Sequence, residues 1–296
     1  NVQVLPEKKS LNDLFRISTA MNFDKKFFDV ELLGDICFIS VGMVLNADEM
    51  KAKGEFKKED LISETKDKIH SKEYVEADFV TRYFIKQTKY LEWNTERIPL
   101  KVRRPTFPEL YAKPKILKGF TSDAVYDETG LVSNHGLMIL LNFHYLTGVQ
   151  NLSINNSIQK WNKKQRDELE KISKIFALKY ILAIINSKFA KFYLNTIRRH
   201  RIEYYFYPDD LKKIPIKKIP PKDQTPFIRL ADIMLSKNKE LQEIQKKFTK
   251  LLQSELFSSN PVLQGGVTRK LEDWYKLSFD EFLAEIKSKK VELTLS

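Results

Sequence analysis

The spacing of apolar positions changes along the chain. Residues 35–42 (DICFISVG) are rich in β-branched and aromatic side chains and close on Gly42, which predicts a strand and a turn. Residues 79–91 and 113–119 read as further strands. The mostly apolar run LMILLNF (137–143) has the pattern of a buried strand. RRPTFPELY (103–111) carries two prolines that impose an extended, turning path. Residues 49–74 are dense in charge with few apolar anchors and predict a partly helical insertion or a loop. From Trp161 the period becomes helical: Leu182, Ile185, Phe189 and Phe192 share one face of an expected helix over 177–194, with Asn186-Ser187 at its middle. Core packing accounts for that face. Short strands are expected at 204–207 (YYFY) and 212–216. Pro215, Pro220 and Pro221 restrict the second to a sheet edge or to the exit of the sheet.

A helix is expected to open at Thr225 as N-cap, with Pro226 at its first position. Beyond it, Phe227, Met234, Leu241 and Phe248 recur every seventh residue, and Leu230, Lys237, Ile244 and Leu251 form a second register. This predicts a long helix with a coiled-coil seam. Ser278 and Glu281 have capping-box spacing ahead of a last helix through Phe282, Leu283 and Ile286. Ser10 and Asp13 mark a short helix near the start. The expected fold class is α+β: a mixed β-sheet domain, a long spacer helix and a small helical tail. The boundaries fall at 1–30 (connector), 31–222 (sheet domain), 223–257 (long helix) and 258–296 (linker and C-terminal helix), with no internal repeat.

Charge narrows the partners. Lys and Arg number 51 against 39 Asp and Glu, a net +12 with a pI near 9.4. That surplus favours polyanions, although a Lys-rich solubility surface gives the same total. The single cysteine, Cys37, excludes an intramolecular disulfide and a multi-cysteine zinc site and fits a reducing cytoplasm. No apolar run reaches membrane-spanning length and no signal peptide is visible, so no membrane partner is expected. The chain begins at Asn1 without an initiator Met and stops on a strand-like VELTLS, which suggests part of a longer polypeptide.

Catalytic signatures are missing. His70, His135, His144 and His200 show no ligand spacing. Gly265-Gly266 lacks the Lys-Ser/Thr of a phosphate loop. Ile219-Pro220-Pro221-Lys222 is not the Asn-Pro-Pro-aromatic turn of an adenine methyltransferase. Pro208-Asp209-Asp210-Leu211-Lys212 has the letters of a metal-dependent nuclease site without the gap that places its carboxylates on adjacent strands. No catalytic or metal residue is assigned.

What remains is binding. Residues 196–222 hold eight Lys/Arg against three acids. Arg198, Arg199, His200 and Arg201 precede the YYFY run, whose alternate members belong in a core. Arginine pairs bidentately with guanine or phosphate, and Lys212 and Lys213 suit phosphate. Each arginine fits a solvated face equally well. Arg103, Arg104, Lys115 and Lys118 complete the candidate DNA-contact set.

In their shared order these phrases resemble the TaqI-like C-terminal specificity domain, the target recognition domain of restriction-modification enzymes. The matching pieces are Pro114-Lys115-Ile116-Leu117, Tyr126-Asp127-Glu128, Lys179-Tyr180-Ile181-Leu182 with Asn186-Ser187, LKKIPI (211–216), and Leu230-Ala231-Asp232 with Asn238-Lys239-Glu240-Leu241. YLEWNTER (90–97) followed by RPTFPELY (104–111) looks more specifically like type IIG enzymes, in which nuclease, adenine-N6 methyltransferase and specificity domain share one polypeptide. The resemblance spans roughly 31–290. It implies that 31–222 hold duplex DNA so that one adenine is flipped into a methyltransferase on the same chain, and that this part is itself non-catalytic. The resemblance implies double-stranded DNA and the methyltransferase and nuclease domains as partners. S-adenosylmethionine and Mg2+ would serve the full-length enzyme, and no cofactor this part.

Two other readings stay open. One is half of a type I specificity subunit acting in trans, although a full subunit would show two recognition domains and two long helices. The other is a helical protein-interaction module whose basic surface is incidental.

Overall fold

The computed structural model describes residues 29–45, 54–103, 107–120, 124–162, 164–197, 205–254 and 268–288. The helix expected at Ser10, the linker over 258–266 and the terminal VELTLS lie outside the described residues. The chain divides into two compact units, one through Met234 and one from Leu235.

The first unit is α+β, as expected. It opens with β1 (Val30–Leu32), the single turn α1 (Leu33–Ile36) and β2 (Cys37–Val41). Then come β3 (Ile62–Ser63), β4 (His70–Val75), β5 (Val80–Thr81), β6 (Phe84–Ile85) and β7 (Lys89–Glu92). After α2 (Glu109–Ala112) follow β8 (Lys115–Gly119), β9 (Ala124–Asp127), β10 (Val132–Ser133) and β11 (Leu137–Asn142). The helices α3 (Leu152–Trp161), α4 (Arg166–Ser173), α5 (Leu178–Ile185), α6 (Lys188–Ile197) and α7 (Pro208–Leu211) lead to β12 (Pro215–Lys217) and the long α8 (Pro221–Leu252).

Two four-stranded sheets carry the unit. One is antiparallel throughout, in the order β2-β11-β8-β9. The other is mixed, in the order β10-β4-β7-β3, with β10 and β4 parallel. They share backbone at one seam. Gly42 N–H donates to Leu137 O at 3.0 Å, and the next residue, Met43, donates to Ser133 O at 2.9 Å. A Cβ on Gly42 would collide with the Ser133 and Asn134 carbonyls, so only glycine passes this crossing. Every residue of β11 is buried. The run of Leu, Met and Ile read as a buried strand is the centre of the core, and its last residue, Asn142, is satisfied within it. The Asn142 amide donates to Ser173 O and Phe176 O at 3.2 and 2.7 Å and accepts from the Cys37 thiol at 3.2 Å. Burial pushes that thiol's pKa up, so Cys37 is a core residue and no nucleophile.

Several elements differ from the sequence expectation, each for a local reason. In the charged window 49–74, residues 46–53 lie outside the described set. Residues 62–75 supply β3 and β4, because Tyr74 and Val75 are buried and pair with β10, while Ser71 and Glu73 are exposed. The run 79–91 is three strands: β5 and β6 turn back at Arg82-Tyr83 before β7 begins. Lys212 to Ile216 is not one basic strand. Pro208 opens α7, whose N-cap Tyr207 N–H donates to Asp210 at 3.1 Å, and only Pro215–Lys217 is extended. β12 pairs with β1 alone, the edge position expected of a proline-bearing strand. The helix over 177–194 is two helices. Asn186 C-caps α5, and the Ser187 hydroxyl accepts from Ala190 N–H at 3.2 Å as the N-cap of α6.

α8 starts four residues before the expected Thr225, with Pro221 in its first turn and Pro226 inside it. The lost backbone bond at Pro226 is offset by side-chain docking. Gln224, 1% exposed, accepts from Ala177 N–H at 2.9 Å and donates to Ile175 O and Ile219 O at 2.7 and 3.0 Å. Phe227 meets Tyr180 edge-on at 5.2 Å, and Asp232 pairs with Lys179 at 2.7 Å.

In the second unit, Leu252, Leu271 and Ile286 form a small buried cluster with Phe248 and Phe282 around it. The short α9 (Arg269–Glu272) and α10 (Phe279–Ser288) frame it. The capping box read from the sequence is formed, with Ser278 N–H on Glu281 at 2.8 Å and Glu281 N–H on Ser278 at 3.3 Å. Leu241, Ile244 and Leu251 of the heptad are exposed.

Candidate nucleic-acid interface

The candidate DNA contacts separate sharply. Lys115, assigned to DNA from sequence, is fully buried and bonds Asp127 and the Tyr111 carbonyl. Burial lowers its pKa, and Asp127 opposes that shift. Asp127 also accepts from Thr129 N–H, Thr129 O–H and Leu131 N–H at 2.9, 2.8 and 3.0 Å, which fixes the turn after β9. Lys115 is therefore a structural cross-link of the β8–β9 hairpin, and its assignment to DNA is corrected. Lys212 is corrected too. Its stem packs on Gly34, where an added Cβ would lie 2.7 Å from the Lys212 Cβ. Its ammonium sits over the Trp161 ring at 5.4 Å and bonds Asp209 at 3.1 Å. Lys118 is also fully buried, with its ammonium on Gly119 O at 3.1 Å and over the Phe206 ring at 5.8 Å, so it meets no duplex directly.

Lys213 stays half-exposed, 4.0 Å from Asp210, and Arg103 is exposed with its carbonyl bridged to Val44. Arg104, Arg198, Arg199, His200 and Arg201 lie outside the described residues.

The aromatic run after those arginines splits by alternation. Residues 205–207 form no regular strand, but Phe206 N–H donates to Phe120 O at 2.8 Å and aligns them along the end of β8. Phe206 is 4% exposed and turned inward, whereas Tyr205 and Tyr207 are 54% and 49% exposed. Both tyrosine rings contact Phe120, at 6.4 and 5.9 Å. The result is a ridge of three aromatic rings.

A cavity lies on each side of this segment. One, of 600 Å³, runs along β2 past Phe38, Ser40, Ser157, Phe120 and Tyr207. The other, of 350 Å³, is lined by Arg82, Lys118, Asn186, Ser187, Lys188 and Lys191, with Ile185, Leu194 and Phe206 as its apolar wall. No carboxylate lines the second cavity among the described residues.

The second cavity is assembled from three places. Lys188 and Lys191 are exposed in the first turn of α6, where backbone N–H groups and the helix dipole favour an anion. Lys118 comes from β8 beneath them. Arg82 comes from the tip of the β5–β6 hairpin, where its guanidinium bonds the Asn186 carbonyl. The next residue, Tyr83, has φ 64°, a left-handed conformation that costs a side-chain-bearing residue about 1–2 kcal/mol. It is held there by burial of its ring and by its N–H on Ala124 O at 3.0 Å. The same carbonyl accepts from the Asn186 amide at 2.9 Å, which leaves the Asn186 Oδ1 buried with no hydrogen-bond donor among the described residues.

Sequence reasoning missed Arg82, Lys188 and Lys191. A signal was present for the last two: Ser187 is an N-cap residue, and lysines follow it at the first and fourth helical positions. Treating 177–194 as one helix hid it. Arg82 had no local signal, because the hairpin was read as part of a longer strand.

The phrase YLEWNTER (90–97) is structural at its acid. Glu92 is buried at the end of β7 and accepts from Arg97 and Thr95. Burial raises the pKa of Glu92, and the hydrogen bonds from Arg97 and Thr95 together with the Arg97 charge outweigh it to leave the carboxyl below its usual range. Among the described residues no group of three or more His, Cys, Asp or Glu side chains is placed to hold a metal, and no helix is long and apolar enough to cross a membrane.

Comparison with known proteins adds one match. A family model described as a domain of unknown function (DUF8810) fits residues 220–296, which are α8 and the helical tail and not the sheets or the ridge. No curated protein matches the chain.

Proposed function

We propose that this chain is the sequence-specific recognition domain for double-stranded DNA of a type IIG restriction-modification enzyme. In this reading the methyltransferase and nuclease domains, with S-adenosylmethionine and Mg2+, belong to the rest of the same polypeptide. The observation that carries the proposal is the pairing of an aromatic ridge, Phe120 with the exposed Tyr205 and Tyr207, with a cavity that presents the exposed cations Arg82, Lys188 and Lys191. Cations fix the duplex through its phosphates, and rings with hydroxyl tips contact base edges and sugars. The net +12 charge and the order of the sequence phrases point the same way.

The test has two arms. Adenine methylation is mapped across the host genome with and without the parent gene, and a single short motif should lose methylation. The chain is also titrated with duplex DNA over a salt series. Affinity should fall steeply and linearly on a log–log plot, as counterion release requires. No lost motif together with salt-insensitive binding would refute the proposal.

A second reading, a helical protein-interaction module, is favoured by the exposed Leu241, Ile244 and Leu251. It predicts binding that is indifferent to DNA.

A further inference from the structure

We propose that the 350 Å³ cavity at the start of α6 is a nucleotide-phosphate site. Arg82, Lys188 and Lys191 hold the phosphate, and Asn186 receives a hydroxyl or amino donor from the same ligand.

The cations are contributed by two elements far apart in sequence, and both are positioned independently of any ligand. Ser187 satisfies Ala190 N–H through its hydroxyl and Lys191 N–H through its carbonyl, which fixes the first turn of α6 that carries both lysines. Arg82 uses one donor on the Asn186 carbonyl and has a fork of donors left, the geometry that pairs bidentately with phosphate. Tyr83 is strained at the hairpin tip that delivers it, and strain held by surrounding structure concentrates at ligand sites.

Asn186 is the independent observation. It is 5% exposed, its amide nitrogen is committed to Ala124 O, and its Oδ1 has no donor among the described residues. A buried acceptor left unsatisfied is costly, and the unprotonated oxygens of a bound phosphate cannot relieve it. A ligand with a donor beside its phosphate would. Size agrees: 350 Å³ lies in the range of small-molecule pockets and exceeds the need of a bare phosphate. The apolar wall of Ile185, Leu194 and Phe206 suits a sugar or a base.

This inference deepens the DNA reading and rests on it only for the source of the phosphate, which is either a nucleic acid or a free nucleotide. The intact chain is titrated separately with inorganic phosphate and adenosine 5′-monophosphate, followed by 31P NMR, and with duplex DNA in a gel shift. The monophosphate should bind saturably and roughly tenfold or more tighter than inorganic phosphate. Arg82→Gln and the double variant Lys188→Gln/Lys191→Gln should each weaken it about tenfold or more. Both variants alter exposed side chains, and a circular dichroism melt verifies that they fold. If duplex affinity falls in parallel, the site takes a phosphate of the nucleic acid. If duplex affinity is unchanged, it takes a free nucleotide, and if the wild-type chain binds the monophosphate but no duplex, the DNA reading alone fails. Absence of saturable binding of the monophosphate, or binding indifferent to both variants, would overturn the phosphate site.

Discussion

Lys115 and Asp127, twelve residues apart, close the β8–β9 hairpin with an ion pair whose side chains are 0% and 1% exposed. A pair so placed is held by the shape around it, and its worth emerges only when one member is removed. Lys115→Met leaves the Asp127 charge without its counter-ion and should destabilise the first unit by about 3–5 kcal/mol. The double variant Lys115→Met/Asp127→Asn should recover part of that loss, because no buried charge remains and the amide oxygen still accepts from Thr129. Urea unfolding of the three chains checks this. A single variant as stable as the parent would mean that water reaches Asp127.

The aromatic segment divides into residues that fold the protein and residues that face outward. Phe206→Ala should cost about 3–5 kcal/mol, since it empties a buried ring site over Lys118. Tyr205→Ala and Tyr207→Ala should cost about 1 kcal/mol or less in stability. On the DNA reading they should still weaken duplex binding by roughly 1 kcal/mol or more. Thermal melts and gel shifts on the same preparations separate the two effects.

Gln224 fastens the start of α8 to Ile175 and Ala177 through two hydrogen bonds and to Ile219 through a third. Gln224→Ala strands the Ala177 N–H and two carbonyls and should cost about 1–3 kcal/mol. Gln224→Glu should be worse than its size suggests, because a carboxylate accepts from Ala177 but faces two carbonyls to which it can no longer donate. Equal stability of the glutamate variant and the parent in urea would contradict this arrangement.

His144 gives the first unit a pH dependence. Burial, with Lys174 nearby, lowers its pKa from the ordinary 6.5. Because the folded value is depressed, the unfolded chain takes up its proton first as pH falls. The contribution to stability is complete above pH 6.5 and is lost as pH drops towards the folded value. His144→Gln should reduce the difference between unfolding midpoints measured at pH 7.5 and at mildly acidic pH, a comparison that cancels the general cost of the substitution.

The sequence made some of this fold legible and concealed the rest for definable reasons. The apolar run at 137–143 identified the central strand because burial on both faces leaves a continuous signal. The Ser278 and Glu281 capping box is local chemistry and was readable as such. Asn186-Ser187 was visible as a phrase but not as a break, since the apolar spacing of α5 and α6 runs through it and the interruption is made by Arg82 and Ala124 from elsewhere. Lysines were the least legible. Lys115, Lys118 and Lys212 look like solvent-facing cations in a basic chain, yet an aspartate, a phenylalanine ring and a tryptophan ring take them inside. Those partners are distant in sequence, so charge counting took buried lysines for surface ones.

Gly42 bears on how the first unit comes apart. The strand it ends passes directly from hydrogen bonds with β11 to hydrogen bonds with residues beside β10 and β4. An opening that frees the amides of one sheet pulls on a backbone that the other sheet also holds. The slowest-exchanging amides of β4 and β11 should therefore exchange with one common free energy, and enlarging residue 42 should split that single event into two.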